Sequence, residues 1–523
     1  MVFSSAIFLF IFLPVVFLGN LLIRPLWAKN LFLTAASLVF YAFGEPVYVF
    51  LMIASAAMNY GFGRGLAAAE RQGIRRFLLV VSVLCDLVIL GMFKYAGFLV
   101  ENINHIAGSH LTVPEIALPV GISFFTFQAM SYVIDVYRNR DMCQKSFMKV
   151  LLYISFFPQL IAGPIVRWGE IETQLDHRTV TTDGVAEGIC RFVKGLAKKL
   201  LLANGLGQIA DQVFELNIGQ YSMAVAWLGA ICYALQIFYD FSGYSDMAIG
   251  LASMFGFQFQ ENFDHPYSAD SIHGFWRRWH ISLSSWFKEY VYIPLGGNRK
   301  GKLRTEVNKL IVFFLTGIWH GANWTFVIWG MIHGVMNVLE DTILPIRKCR
   351  FKWIGNLYTW IIAVTAFVMF RADTAVYGWQ MIRTMFGNFS WDMLSRQFIL
   401  ERLDGYTMTL LAAGILFSYP VTGVLARKTL KWREAHSAVW ENLLMWECFC
   451  CFSFVSAVWR LPHIIRLFIF VFNNVSGGPE PEIISGMQRK GAMNEKKNIY
   501  CCIFYHFIDP VCGNECISCG SEH

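Results

Sequence analysis

Hydrophobic positions in this chain come in long unbroken blocks, without the one-sided or alternating spacing of a water-soluble fold. Runs of about 18 or more apolar residues recur along most of its length, enough for a helix to cross a ~30 Å hydrocarbon core. Residues 5–23 form the first. No basic segment precedes it and no small-residue cleavage site follows, so it reads as a retained first helix with its N-terminus outside. Arg24 and Lys29 then lie inside, Gly44-Glu45-Pro46 makes an outside turn, and Arg64, Arg71, Arg75 and Arg76 return inside. Residues 101–118 carry no Lys or Arg and fall outside, and Arg138, Arg140, Lys145 and Lys149 are inside again.

The block at 150–165 breaks this alternation. It is short, is interrupted by Pro158, Gly163 and Pro164, and has basic flanks on both sides. It predicts a segment that enters and leaves on one face. Such backbone at membrane depth must be packed in protein or line a cavity. Further apolar runs at about 221–240, 243–257, 309–340, 354–371, 406–425 and 436–475 bring the expectation to ten to twelve spans, in an all-α polytopic bundle with re-entrant or interfacial helices. Residues 1–475 are expected to form one membrane domain. A polar, Cys-rich tail at 476–523 follows the Ser476-Gly477-Gly478-Pro479 break and is expected to be disordered. No internal repeat is evident.

Composition agrees. The chain is 56% hydrophobic and 15% charged, against about 25% charged in soluble domains, which excludes a soluble enzyme, a coiled coil or a disordered scaffold. Most of the net charge of +7 lies between Ser271 and Leu310, where eight basic residues face two acidic ones. That marks a cytoplasmic loop with a secondary attraction to anionic lipid headgroups. Nucleic-acid binding is not expected. Of 13 cysteines, the five before Cys448 read as small core residues. Cys512, Cys516 and Cys519 with His506 have the composition of zinc ligands but match no zinc spacing closely, and no metal is expected.

In a membrane body the informative residues are polar ones inside apolar runs, because each is costly unless partnered or used. One stretch is Leu118 to Gln128, continuing to Ser131, Tyr132 and Asp135. A second is Gln236 to Asp246, with Asp240 and Asp246. A third contains His320, eleven residues beyond Lys309, roughly 16 Å along a helix and about halfway through the core. His333 follows thirteen residues later. On one continuous helix the two would stand ~20 Å apart and ~220° around the axis, too far to serve one reacting atom. One of them is then structural, and position does not say which. The basic loop contains Trp276-Arg277-Arg278-Trp279-His280, which reads either as a Trp- and Arg-rich membrane interface or as a segment carrying His280 into a cavity. The chain has no Gly-x-Ser-x-Gly, no phosphate-binding glycine loop with lysine and no His-Glu-x-x-His.

Phe275-Trp276-Arg277-Arg278-Trp279-His280-Ile281-Ser282-Leu283-Ser284, Tyr292-Ile293-Pro294-Leu295-Gly296-Gly297-Asn298-Arg299, Trp319-His320-Gly321-Ala322-Asn323-Trp324 and Trp329-Gly330-x-x-His333-Gly334 together resemble the membrane-bound O-acyltransferase family. Phe156 to Ile165 and Asp240 to Asp246 match as well. Within the family the chain is most similar to the branch that acetylates bacterial polysaccharides, alginate among them. The resemblance spans about residues 1–470 and not the tail. It implies a helix bundle around a central tunnel in the bacterial cytoplasmic membrane, with His320 as the catalytic histidine and His280, forty residues earlier, as the second polar residue. His333 then becomes a packing or hydrogen-bonding residue.

The implied chemistry is acetyl transfer to hydroxyl groups, with His320 as general base or acyl-accepting nucleophile. His280, Arg277, Arg278 and Trp279 would stabilise the oxyanion or bind an anionic donor such as acetyl-CoA. Asp240 and Asp246 would orient donor or histidine, or serve only in structural hydrogen bonds. No tightly bound cofactor is implied. The partners would be the cytoplasmic acetyl donor, periplasmic acetyl-transfer proteins, a polysaccharide acceptor and the bilayer. A transporter or flippase, a non-catalytic assembly subunit and an alanyl-transferring relative are the competing readings.

Overall fold

Backbone hydrogen bonding in lipid must be satisfied within a segment, so apolar runs of this kind fold as helices. The computed structural model describes residues 1–421 apart from 218, 220 and 391, and among them every regular element is helical. The run at 436–475 and the Cys-rich tail lie outside the described residues.

Among the described residues three helices are long and apolar enough to cross a membrane: Gln72–Lys94, Met223–Met254 and Lys352–Arg371. The stretches Phe8–Leu22, Leu26–Ala42 and Gly405–Phe417 are apolar but shorter. The remaining blocks of the sequence carry charge into the helix itself. Lys302–His320 begins with Lys302, Arg304, Glu306 and Lys309, and Ile122–Arg138 contains Gln128, Asp135 and Arg138.

Hydrogen bonds between connecting segments sort them onto two ends. At one end Tyr41 and Tyr48 donate to the carbonyls of Val120 and Ala117 at 3.0 and 3.1 Å, joining the Gly44 turn to the 101–121 connection. At the other, Arg140 donates to the Ala69 carbonyl at 2.7 Å, Tyr60 to the Lys145 carbonyl at 2.9 Å, and Arg138 to the Glu289 carbonyl at 2.6 Å. This is the grouping the charge pattern predicts.

The 150–165 block is indeed discontinuous, as helices Phe147–Ser155 and Phe157–Leu160 followed by irregular backbone. Its tip presses on Gly121, whose φ of +79° and lack of a side chain are both required, since a Cβ there would stand 2.7 Å from the Leu160 oxygen. The chain then turns back until the Trp168 indole donates to the Met142 carbonyl at 2.9 Å, beside the point of entry. Side chains satisfy the freed backbone: the Phe157 N–H donates to Ser37 Oγ at 3.2 Å and the Ile165 N–H to Ser282 Oγ at 3.0 Å. These are the partners that irregular backbone needs at this depth.

The Thr182–Ala197 helix lies against Met223–Met254 through paired glycines. A Cβ on Gly195 would meet the Gly243 oxygen at 2.4 Å, and one on Gly188 the Gly250 oxygen at 2.6 Å. Such close backbone approach is how small residues hold membrane helices together. Of the five cysteines before Cys448, only Cys232 is buried; Cys190 is exposed and the others are half-buried. A shared core role holds for Cys232; Cys143 packs at the margin of the core, and Cys190 lies on an exposed helix face.

Candidate active site

A cavity of about 640 Å³ opens among the N-terminal residues, the start of the Ile122–Arg138 helix, the tip of the re-entrant segment and the Met223–Met254 helix. Its wall is mostly apolar and aromatic, with Trp279, Trp319, Trp329 and Phe370. The polar side chains on it include Lys94, Ser123, Lys199, Asp240, Tyr244 and His320.

His320 is the last residue of the Lys302–His320 helix, about 27 Å along the axis from Lys302. The chain breaks there. Gly321 is extended, and Asn323 starts the Trp324–Thr342 helix by accepting from the Thr325 N–H at 3.1 Å. The final carbonyls of a helix lack partners within it. Here Tyr95 donates to the Ile318 oxygen at 2.7 Å, and Lys94 donates to that of Trp319. The histidine therefore sits on a pinned helix end. Its ring meets the edges of Trp329 and Phe370, with centroids at 5.0 and 5.2 Å, and its buried Nε2 has no hydrogen-bond partner among the described residues.

His280 is buried next to it, 6.5 Å away between ring centroids. A short network selects the tautomer of its neutral ring. The Ser282 N–H can only donate, so the Asn262 atom that accepts from it at 3.2 Å is the amide oxygen. That oxygen also takes a hydrogen bond from Ser282 Oγ at 2.9 Å and stands 3.1 Å from His280 Nδ1. Nδ1 of the neutral ring therefore carries the proton, and the buried Nε2, without a partner among the described residues, keeps its lone pair. The Asn262 amide nitrogen donates to Ser245 Oγ at 2.9 Å, which holds the amide in that orientation. His280 itself has φ of +47°, an uncommon conformation for a residue with a side chain. Two backbone bonds hold it there: Ile281 N–H to the Asn262 oxygen at 2.9 Å and Asp264 N–H to the Arg278 oxygen at 3.0 Å. As a neutral ring in this tautomer, His280 offers an acceptor; the oxyanion role expected of it would require a second proton.

The other anticipated residues are placed differently. Trp279 is buried and lines the cavity. Arg277 is exposed, Arg278 donates to Ser268 Oγ at 3.0 Å, and neither lines the cavity. No basic residue of the 271–310 segment reaches this wall, whose lysines are Lys94 and Lys199. Asp240 pairs with Lys199 at 2.6 Å, and Asp246 with Lys198 at 2.6 Å and Arg191 at 3.0 Å. His333 is fully buried with both nitrogens unpartnered among the described residues. It stacks on Phe275 at 6.0 Å and meets Trp276 edge-on at 5.2 Å. It packs, and it does not line the cavity.

Sequence reasoning missed Lys94, Lys199 and Asn262. Lys94 had a usable signal: it ends an apolar run on the face that the charge pattern places outside, where a lysine is unexpected.

Residues 121–373 match the model of the membrane-bound O-acyltransferase family. The chain is 43% identical to a probable alginate O-acetylase of Azotobacter vinelandii, covering 75% of this chain and 79% of that protein. It is 36% identical to a peptidoglycan O-acetyltransferase of Helicobacter pylori, covering 74% and 80%. Similarity extends to a teichoic acid D-alanyltransferase of Bacillus subtilis, at 28% identity over 47% of this chain and 64% of that one. With identity of this order over three quarters of its length, and with His320 on an apolar cavity and His280 buried behind it, the chain belongs to the membrane-bound O-acyltransferase family and is an O-acyltransferase.

Proposed function

We propose that this chain is a multi-pass protein of the bacterial inner membrane that transfers acetyl from a cytoplasmic donor, acetyl-CoA or another acetyl carrier, to hydroxyl groups of an extracytoplasmic, alginate-like polysaccharide. The alginate and peptidoglycan O-acetylating relatives support the choice of acceptor. The observation that carries the mechanism is the His320 imidazole, held at a helix end on an apolar cavity with a nitrogen that has no partner among the described residues.

A sugar hydroxyl is a poor nucleophile because its pKa lies far above 7. An imidazole beside it takes its proton as the new C–O bond forms. His320 performs that step, or accepts the acyl group first and passes it on. His280, with its lone pair at Nε2, takes the proton onward. Trp279 walls the reacting groups from water. Arg277 and Arg278, outside the cavity on the segment that leads to His280, supply positive charge for an anionic donor. Periplasmic acetyl-transfer proteins receive or deliver the product on the far side.

The test is His320→Ala in a host lacking its own copy, scored by acetyl ester content of the secreted polysaccharide at matched protein level. Loss of about 10² or more is expected, the usual contribution of general acid–base catalysis at its lower end. Acetylation at the wild-type level would overturn the catalytic assignment.

A further inference from the structure

The reaction read above uses two imidazoles as proton acceptors. Acyl transfer also needs a donor, because the carbonyl oxygen gains negative charge as the hydroxyl attacks. Among the cavity-lining cations Lys199 is committed to Asp240, and the basic residues of the 271–310 segment do not reach the wall. Lys94 does. It lines the cavity together with Ser123, Trp319 and His320. Its Nζ donates to Ser123 Oγ at 3.0 Å and to the Trp319 carbonyl, the residue before His320. An ammonium has three donors, so these bonds leave one for the cavity. Lys94 forms no ion pair among the described residues; its charge is met by the Trp319 carbonyl, by Ser123 Oγ and by the rings of Trp319 and Tyr95, 5.7 and 5.9 Å from Nζ. A cation with no counter-ion among the described residues, at a mostly apolar wall, is costly to keep and points to use.

We propose that Lys94 is a further catalytic residue of this site, its ammonium holding the acyl carbonyl oxygen through the transfer. The proposal rests on the reading of His320 as proton acceptor. In the step, the acceptor oxygen bonds the acyl carbon while its proton passes to His320. The C=O electron pair moves onto the carbonyl oxygen, which Lys94 holds by a charged hydrogen bond. The C=O then re-forms, the bond from the acyl carbon to the donor's leaving atom breaks, and that atom takes up the proton from the imidazole. Lys94 keeps its own proton throughout.

The competing account is that Lys94 only caps the helix end, as Tyr95 does at the neighbouring carbonyl. Tyr95→Phe removes that cap without touching charge. Lys94→Gln keeps an N–H for the Trp319 carbonyl and removes the charge, while Lys94→Arg keeps the charge. Each would be assayed in inside-out membrane vesicles supplied with radiolabelled acetyl-CoA, the vesicles drawn from cells making the acceptor, with His320→Ala run alongside. If Lys94 acts on the oxyanion, Lys94→Gln lowers kcat by about 10²–10³, the usual effect of removing one such donor. KM for acetyl-CoA stays within about threefold, Lys94→Arg recovers at least tenfold of the loss, and Tyr95→Phe loses less than about fivefold. Retention of kcat in Lys94→Gln, a loss confined to KM, or an equal loss in Tyr95→Phe would each overturn the proposal. Should Lys94→Gln fail to accumulate, Lys94→Met decides by the same criteria, and failure of both to fold while Lys94→Arg folds makes the residue structural and overturns it. Full incorporation by His320→Ala would overturn the reading of His320, whereas loss there with full activity in Lys94→Gln overturns only the role of Lys94.

Discussion

The rings of His280 and His320 stand 6.5 Å apart between centroids, inclined at 63°, although forty residues and a basic loop separate them in the chain. Residues that act on one proton in sequence behave as a unit, and their substitutions do not add. His280→Gln and His320→Ala are each expected to reduce acetyl ester content by about 10² or more. The double variant should fall no further than the worse single one. Independent, multiplying losses would show that the two rings serve separate steps.

Asn262 sets the tautomer of His280 through one oxygen that accepts three hydrogen bonds. Asn262→Ala removes all three, leaving Ser282 N–H without an acceptor and His280 Nδ1 with only Ser282 Oγ, 3.4 Å away. A loss of activity of at least about tenfold is expected, on the scale of an unsatisfied buried donor at about 1–3 kcal/mol. Asn262→Asp keeps an acceptor at that point and should retain much more activity than the alanine variant. Equal losses in the two, measured as acetyl esters per unit of protein, would show that the side chain acts by packing alone.

His333 offers the contrasting case. Its ring is stacked among Phe275, Trp276 and Trp329, and neither nitrogen has a partner among the described residues. His333→Phe keeps the ring and removes two polar atoms, so activity should stay within about twofold and stability should not fall, since an unpaired buried polar group carries a cost that an apolar one does not. His320→Phe, of the same volume change, should abolish activity. A strong loss in His333→Phe would assign it a role in proton movement.

These residues also show how much the sequence carried. His320 and His280 were legible because a titratable group inside an apolar or aromatic run is costly wherever it lies. The separation of His320 from His333 was computed along one helix, whereas the chain breaks at Gly321 and begins again at Trp324. What the structure shows is a difference of surroundings: His333 faces an aromatic pack and His320 a cavity. Lys94, Lys199 and Asn262 were not legible as site residues. Lys94 stands out in sequence only as a lysine on the face that the charge pattern places outside, Lys199 looks like surface charge until the packing shows which wall it lines, and Asn262 gains its role only through partners at 245, 280 and 282. Arg277 and Arg278 stand beside Trp279 and His280 in sequence but do not share the cavity wall with Trp279. Residues 277–279 continue the helical turn that ends Ile272–Trp276, with Arg278 N–H and Trp279 N–H both donating to the Phe275 carbonyl, so successive side chains point to different surfaces.

Gly195 and Gly243 test the scaffold. A Cβ on Gly195 would lie 2.4 Å from the Gly243 carbonyl oxygen, and backbone cannot swing aside as a side chain can. Gly195→Ala should separate the two helices and destabilise the protein by roughly 1–3 kcal/mol, the usual cost of overpacking. Gly61→Ala is the control, because nothing lies within 4 Å of a Cβ there and alanine is the better helix former. Thermal unfolding in detergent should drop for Gly195→Ala and stay level or rise for Gly61→Ala.

The Lys199–Asp240 pair carries the last prediction. Both residues line the cavity and stand 2.6 Å apart, with side chains about a third exposed, so their attraction is partly screened and contributes little to stability. Its effect on the site is larger than its effect on folding, because removing either partner leaves a lone charge on a mostly apolar wall. Lys199→Met should leave Asp240 repelling an anionic donor, and Asp240→Asn should leave a free ammonium attracting one. In the vesicle assay the first should raise KM for acetyl-CoA and the second should lower it or leave it unchanged, while melting temperatures move little. The double variant restores neutrality and should bring KM back to within about threefold of wild type, which gives a measurable coupling between the two positions. If both single variants instead shift KM in the same direction, the pair serves to hold the Met223–Met254 helix in place and has no electrostatic part in donor entry.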